Sequence, residues 1–449
     1  MRARRFGASI VVASMLLAAG LVAAGPAAGD VGDVIRISRG IGGAVPDSGS
    51  DWPSVSGDGE VVAFSSNASN LVLGDTNFDD DVFVFEVSSG VMTRVSVSSS
   101  GDEGDAGPSY GPVVSSDGRH VAFASDSNLV LDDTNGETDA YVHDRLNGTI
   151  ERASVGSDGG QGNDNAADNS SIVISSDGRF VGFSTDSTTL IDGGTNGFYH
   201  AYMRDRLTGI TDLISHSEAG VEGNEESWVL GISDDGVLVT FGSTATNLVA
   251  GDTNGHADLF LLNRVTGSLQ LISTAHGGGS ANGPSGGGAL TPDGRIVLIS
   301  SSATNLIPGD TNGVADVFTR DLEAGTTERI SVSQGGAQAD GHSWGRGVSA
   351  DGRYVVFESE ASNLVPGDTN GAADVFVRDR VSGTTRRVSV TSTGAQLAMA
   401  SFGADISADG RFVVYATDAD EVVPGDTDGQ RDVFRYQLLP DPPPVAETT

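Results

Sequence analysis

Aspartate and asparagine recur at a fixed spacing along this chain, and no other pattern in it is better suited to chemistry. Asp368, Asn370 and Asp374 stand at positions one, three and seven of a loop that carries Gly371 at position four. The triplet returns as Asp75, Asn77 and Asp81, as Asp133, Asn135 and Asp139, and as Asp252, Asn254 and Asp258. Two further copies are Asp310, Asn312 and Asp316, and Asp426, Asp428 and Asp432. Calcium takes about six to eight oxygen ligands, and short acidic loops that turn on glycine supply them. Calcium is therefore the expected cofactor, with Asp79 as an additional acid in the first copy. The third copy breaks the rule, with Gly194 and His200 at the two Asp positions. The competing reading is structural: Asp and Asn make Asx turns and Gly supplies positive φ. The last Asp of each loop would then bond backbone amides where the next strand starts.

Other candidate groups are weaker. Gly341-His342-Ser343-Trp344-Gly345 matches the Gly-x-Ser-x-Gly nucleophile elbow, which requires a strand-turn-helix setting. No helical period follows it, and Ser343-Trp344 aligns with Ser227-Trp228, Ser109-Tyr110 and Ser401-Phe402, so it reads as a repeat position. The aromatics Tyr110, Trp228, Trp344 and Phe402 precede the innermost strands. They would either ring a channel mouth and stack on sugar rings or pack between repeats. The histidines, His120, His143, His200, His216, His256, His276 and His342, show no metal-ligand spacing. Arg320-Asp321 and Arg378-Asp379 read as surface charge on outer strands.

Composition bounds the partners. A formal net charge of -36 over 449 residues excludes a nucleic-acid binder, whose affinity comes from Lys and Arg on phosphates. It also argues against anionic lipid and suits a surface that gathers cations. Cysteine is absent, which removes disulfides and thiolate metal sites. Arg2, Arg4 and Arg5 precede a small, apolar stretch over residues 8–24, and Val22-Ala23-Ala24 fits a cleavage site. Residues 1–29 therefore read as a secretory signal peptide. The expected location is secreted or cell envelope, with no stable membrane insertion after cleavage. Residues 439–449 read as a Pro-rich extended tail.

The elements that position the acidic loops follow from a second fixed point. Asp-Gly pairs begin at Asp58, Asp117, Asp177, Asp235, Asp293, Asp351 and Asp409, which is seven units 58–60 residues apart. Each pair reads as a hairpin, in the type I′ form that asks for positive φ at both residues. After each comes a period-two run, such as Val62 and Phe64 or Val355 and Phe357, which means a strand. A shorter strand precedes each pair. A third follows the acidic loop with an aromatic near its start (Phe83, Tyr141, Tyr202, Phe260, Phe318, Phe376, Phe434), and a fourth carries motifs such as Arg94-Val95-Ser96. Four antiparallel strands repeated seven times make an all-β, seven-bladed propeller over residues 30–438. The last repeat lacks its fourth strand, and Arg36-Ile37-Ser38 near the N-terminus supplies the missing motif. The first strand should therefore complete the last blade and close the ring, leaving no open edge.

Thr291-Pro292-Asp293-Gly294-Arg295 with Ile296-Val297-Leu298-Ile299-Ser300, and its Ser-Ala-Asp-Gly-Arg relatives, resemble the Pro-Asp type, WD-like repeat of TolB-like exported propellers over residues 34–438. The repeat is longer than in that family, and there are seven units in place of six. The acidic loops are similar to those of integrin-type propellers, though shorter by two residues. The TolB resemblance implies a binding scaffold in the cell envelope and carries over no catalytic residue. The tight Asp-Gly turns gather on one face and the long loops on the other, where loops over a rigid scaffold place function. The expected protein is an exported, non-enzymatic monomer binding a protein or glycan on the long-loop face. The alternative is a lyase or hydrolase acting on an extracellular polysaccharide.

Overall fold

The computed structural model describes residues 32–104, 107–167 and 171–440. The signal-peptide reading and the tail beyond residue 440 lie outside them. Seven four-stranded antiparallel sheets form the blades of a propeller. Blade 1 runs Ser50–Val55, Val61–Ser66, Asp81–Glu86 and Val91–Arg94 from the axis outward. The outer strand of blade 7 is Val34–Arg36, paired antiparallel with Asp432–Gln437 in the register Val34↔Tyr436 and Arg36↔Phe434. The ring thus closes with the expected strand. Among the described residues the only helical element is the 3-10 turn Ile41–Gly43, and no helix is long and apolar enough to cross a membrane.

The period-two pattern decides the packing. Alternate residues of the second and third strands face one neighbouring blade, and the residues between them face the other. In six blades the second and third strands set two rings across from each other: Phe64–Phe83, Phe123–Tyr141, Phe183–Tyr202, Phe241–Phe260, Phe357–Phe376 and Tyr415–Phe434, with centroids 5.4–6.1 Å apart. Each pair contributes about 0.5–1.5 kcal/mol beyond its burial. Blade 5 has Ile299 across from Phe318.

Two local readings need correction. The Asp-Gly turns are wider than type I′. In blade 1 only Gly59 of the Asp58-Gly59 pair has positive φ, at 76°, and its N–H closes the turn onto Ser56 O at 3.0 Å. Asp58 Oδ1 accepts from Ser56 Oγ at 2.7 Å and from the Glu60 N–H at 3.0 Å, so the carboxylate holds the turn as an Asx bond. The innermost strand of blade 3, Ile172–Ile174, is the short run expected. The other six are longer and begin at the serine that recurs in the repeat, as in Ser109–Val114 and Ser343–Val348. A register shift in each of these, such as Tyr110/Val113, hides the period.

Candidate functional site

The acidic loops come together with a partner that spacing alone did not reveal. An Arg-x-Ser motif at the end of the fourth strand puts both side chains on one face, two residues apart. That face meets the acids. In blade 1, Ser96 Oγ donates to Asp81 Oδ1 at 2.5 Å, and Arg94 Nη1 lies 3.0 Å from Asp81, 3.3 Å from Asp75 and 2.5 Å from Glu103. Arg152 Nη1 stands 3.1 Å from Asp133 and 3.2 Å from Asp139 in blade 2. Arg387 Nη1 stands 3.4 Å from Asp368 and 3.0 Å from Asp374 in blade 6. Arg329 reaches Asp310 and Asp316 in blade 5, and Arg36 reaches Asp426 and Asp432 in blade 7. In five blades a guanidinium therefore sits between the two carboxylates. The asparagine of the loop ties them to the backbone: Asn312 Nδ2 donates to Asp316 at 2.8 Å and to Ala339 O at 3.0 Å. Asp79 faces away, accepting from the Gly107 N–H at 3.1 Å.

Blades 3 and 4 depart from this plan in different ways. In blade 3 both acids and the arginine are gone together, replaced by Gly194, His200 and Leu213. The buried His200 ring bridges Ser215 Oγ and Asn196 Oδ1, each at 2.9 Å. Burial lowers its pKa, which keeps the ring neutral. In blade 4 Asp252 and Asp258 remain, but Leu271 stands where the arginine would be. Asp252 Oδ1 is buried with no hydrogen-bond partner, and burial followed by the Asp258 charge raises its pKa. The same order of causes raises Asp75 to about 6.

The nucleophile elbow is a structural serine. Ser343 is buried, its Oγ paired with Ser359 Oγ at 2.8 Å, as Ser109 pairs with Ser125 and Ser227 with Ser243. The aromatic series divides. The Trp228 ring packs onto Gly242, where a Cβ would fall 2.5 Å from it, and Phe402 lies under Arg431 at 4.1 Å. Trp344 stacks on His342, with centroids 6.0 Å apart. Asp321 and Asp379, read as surface charge, instead hold the outer tight turns: Asp379 accepts from Arg353 and from the Val381 N–H at 3.0 Å.

Two hollows open beside blade 1, and Trp52 lines both. The innermost strands line an axial cavity of about 320 Å³ with Trp52, Val113, Val173, Leu230, Arg346 and Asp405. Asp405 accepts from the Val55 and Ile406 N–H groups at 3.0 and 2.8 Å, and burial raises it to about 6. On the long-loop face a hollow of about 380 Å³ opens between blades 7, 1 and 2, lined by Asp51, Trp52, Asp80, Tyr110, Asp418 and Arg431 among others. Arg431 bridges Asp51 at 2.5 Å and Asp418 at 2.9 Å. Trp52 is 49% exposed and holds φ at 53°, in the left-handed region, and Phe78 on the same blade holds 62° at 81% exposure. Strain of this kind costs about 1–3 kcal/mol per residue and clusters at binding sites.

No family model matches the chain, and no curated protein matches it. Solved structures do. An oligogalacturonate lyase in complex with manganese aligns over 91% of this chain and 98% of its own, at 13% identity and a TM-score of 0.53. The β-propeller domain of the trilobed protease from Pyrococcus furiosus aligns over 90% and 100%, at 12% identity and a TM-score of 0.53. A putative TolB from Agrobacterium tumefaciens aligns over 78% and 94%, at 16% identity and a TM-score of 0.42. At these identities the likeness to the lyase and to the protease domain is one of fold, the β-propeller.

Proposed function

We propose that the chain is an exported, non-enzymatic binding module, active as a monomer, that takes a glycan or protein ligand in the hollow between blades 7, 1 and 2. The observation that carries this is Trp52: a large ring held half-exposed at positive φ, beside Tyr110 and a bridged arginine. Aromatic faces with a few fixed polar groups suit sugar rings and anchor side chains alike. Binding of wild type, Trp52→Ala and Arg431→Ala to glycan and peptide arrays tests it. Loss of a ligand in both variants, with the thermal melt retained, supports the hollow; unchanged binding in both refutes it.

The second reading is an enzyme on an acidic polysaccharide. Asp405 favours it, as a carboxyl in the axial cavity raised into the range of a general acid or base. Turnover of oligogalacturonate that disappears in Asp405→Asn would replace the first reading with this one. Calcium at the acidic loops belongs to either. A ligand bound only by the native state raises Tm with its saturation, so melts in EDTA and in millimolar calcium read it directly. A rise with calcium and none with magnesium is the expected result.

A further inference from the structure

One acidic loop has gained carboxylates that the others lack. Blades 1 to 6 carry Asn77, Asn135, Asn196, Asn254, Asn312 and Asn370 at the third loop position; blade 7 carries Asp428. Six residues before the first loop position, blades 1 to 6 carry Ser69, Ser127, Thr188, Thr246, Thr304 and Ser362; blade 7 carries Asp420. In the other blades that hydroxyl turns outward to the neighbouring inter-blade loop, as Ser362 Oγ does to Asp340 and Thr304 Oγ1 to Asn282, both at 2.9 Å. Asp420 turns inward instead and accepts the Gly429 N–H at 2.9 Å.

The result is a cluster in which Asp420, Asp426 and Asp428 each offer an oxygen within 4.8 Å of the others. Calcium binds oxygen at about 2.3–2.6 Å, so ligands on opposite sides of one ion stand about 4.6–5.2 Å apart, and the cluster fits around a single ion. A second observation is independent of the acid count. Asp426 is only 4% exposed, and its Oδ2 has no hydrogen-bond partner; Asp428 Oδ2 is likewise buried and unpartnered. The internal cation does not satisfy them. Arg36 Nη1 is engaged with Asp426 Oδ1 at 2.8 Å and Asp432 Oδ2 at 3.1 Å. Blade 1 provides the contrast: Asp75, Asp81 and Glu103 also converge, but Arg94 Nη1 is within 3.3 Å of all three. A buried carboxylate oxygen without a donor is costly, and pairing with a cation relieves it.

We propose that blade 7 holds one calcium ion, coordinated by Asp426 and Asp428 with Asp420 closing the site from the loop's outer side. This deepens the calcium reading of the acidic loops by naming one of them. It does not depend on what the hollow binds.

The test is calcium titration of the full chain by calorimetry after chelator treatment, beside Asp428→Asn, Asp420→Ser and the double variant. Each substitution restores a residue that other blades already carry, so the fold is retained, and the calcium-free melt checks this. Wild type is expected to take up one ion tightly, with each single variant roughly tenfold weaker and the double variant showing no such site. Calcium should raise Tm for wild type and not for the double variant. A wild type that takes up no calcium overturns the site and the wider calcium reading together. A double variant that binds as wild type does overturns the site alone, since the ion then sits elsewhere. A magnesium response equal to that of calcium overturns the choice of ion.

Discussion

Blades 2 and 4 begin from the same pair of loop aspartates and end with opposite electrostatics. In blade 2 Arg152, with 3% of its side chain exposed, joins Asp133 and Asp139 into a buried ion cluster. In blade 4 Leu271 takes that position and Asp252 is left with a bare oxygen. The partner residue from the following loop changes as well. Gln161 Oε1 accepts the Thr134 N–H at 3.2 Å in blade 2, and blade 4 has the shorter Ser280, whose Oγ reaches Gly251 O at 3.2 Å. Both blades build the same four-stranded sheet, so the arginine is not required to form the loop. Blade 3 makes the same point from the other side: it drops both acids and the arginine, and a neutral histidine takes over their hydrogen bonds.

The comparison breaks most sharply at Arg152. Arg152→Leu copies blade 4 into blade 2 and strands two buried carboxylates, at a cost of about 3–5 kcal/mol in urea unfolding. Adding Asp133→Gly and Asp139→His, the blade 3 set, should recover much of that loss. If the triple variant is no better than the single one, the three residues do not act as a unit.

The reverse change, Leu271→Arg, should stabilise by about 1.5–3 kcal/mol near neutral pH through charge-assisted hydrogen bonds. It should also alter the pH profile. The folded pKa of Asp252 is raised, so its contribution to stability is fully present below the unfolded value of about 3.9 and is lost as pH rises through the folded one. Unfolding free energies measured across that window should fall with rising pH in wild type and fall less in Leu271→Arg. Parallel curves would mean that the arginine does not reach the pair.

The smallest effect is expected where the repeat most resembles an enzyme. Ser343→Ala should cost about 1 kcal/mol, the value of one buried hydroxyl bond, because Ser359 Oγ keeps its bond to His342 O. Loss of a hydrolytic activity in that variant, with stability unchanged, would contradict the structural role.

Much of the fold was legible because its signals are local. Glycines such as Gly59 and Gly352 mark turns at a fixed interval, and alternating residues such as Val355 and Phe357 mark strands. The complementary half-repeats at residues 36–38 and 433–438 announced the closure. The site was legible only in part. The loop acids were evident, but their arginine lies 13 residues beyond Asp81, across a hairpin. Its co-occurrence with the acids is broken by blade 4, which keeps the acids without it. Trp52 was invisible for a different reason. The aligned aromatics follow the first serine of the inner strand in four blades, where blade 1 has Asp51. A register shift between Asp51 and Ser54 carries the tryptophan one place out of step and aims it at the hollow.

The closing strand has a consequence in time. Val34–Arg36 is the first strand of the propeller to be synthesised, and its partner Asp432–Gln437 is the last. Until the final residues emerge, the earliest strand has nothing to pair with. Contacts so distant along the chain form late in folding. The growing protein therefore passes through an interval in which six blades can be complete while a bare strand edge waits at each end. Such edges recruit strands from other chains. Arg36 arrives with the last pairing, so the edge is sealed and Asp426 and Asp432 gain their counter-charge in the same event. The ring is most vulnerable to a foreign strand just before it becomes a ring.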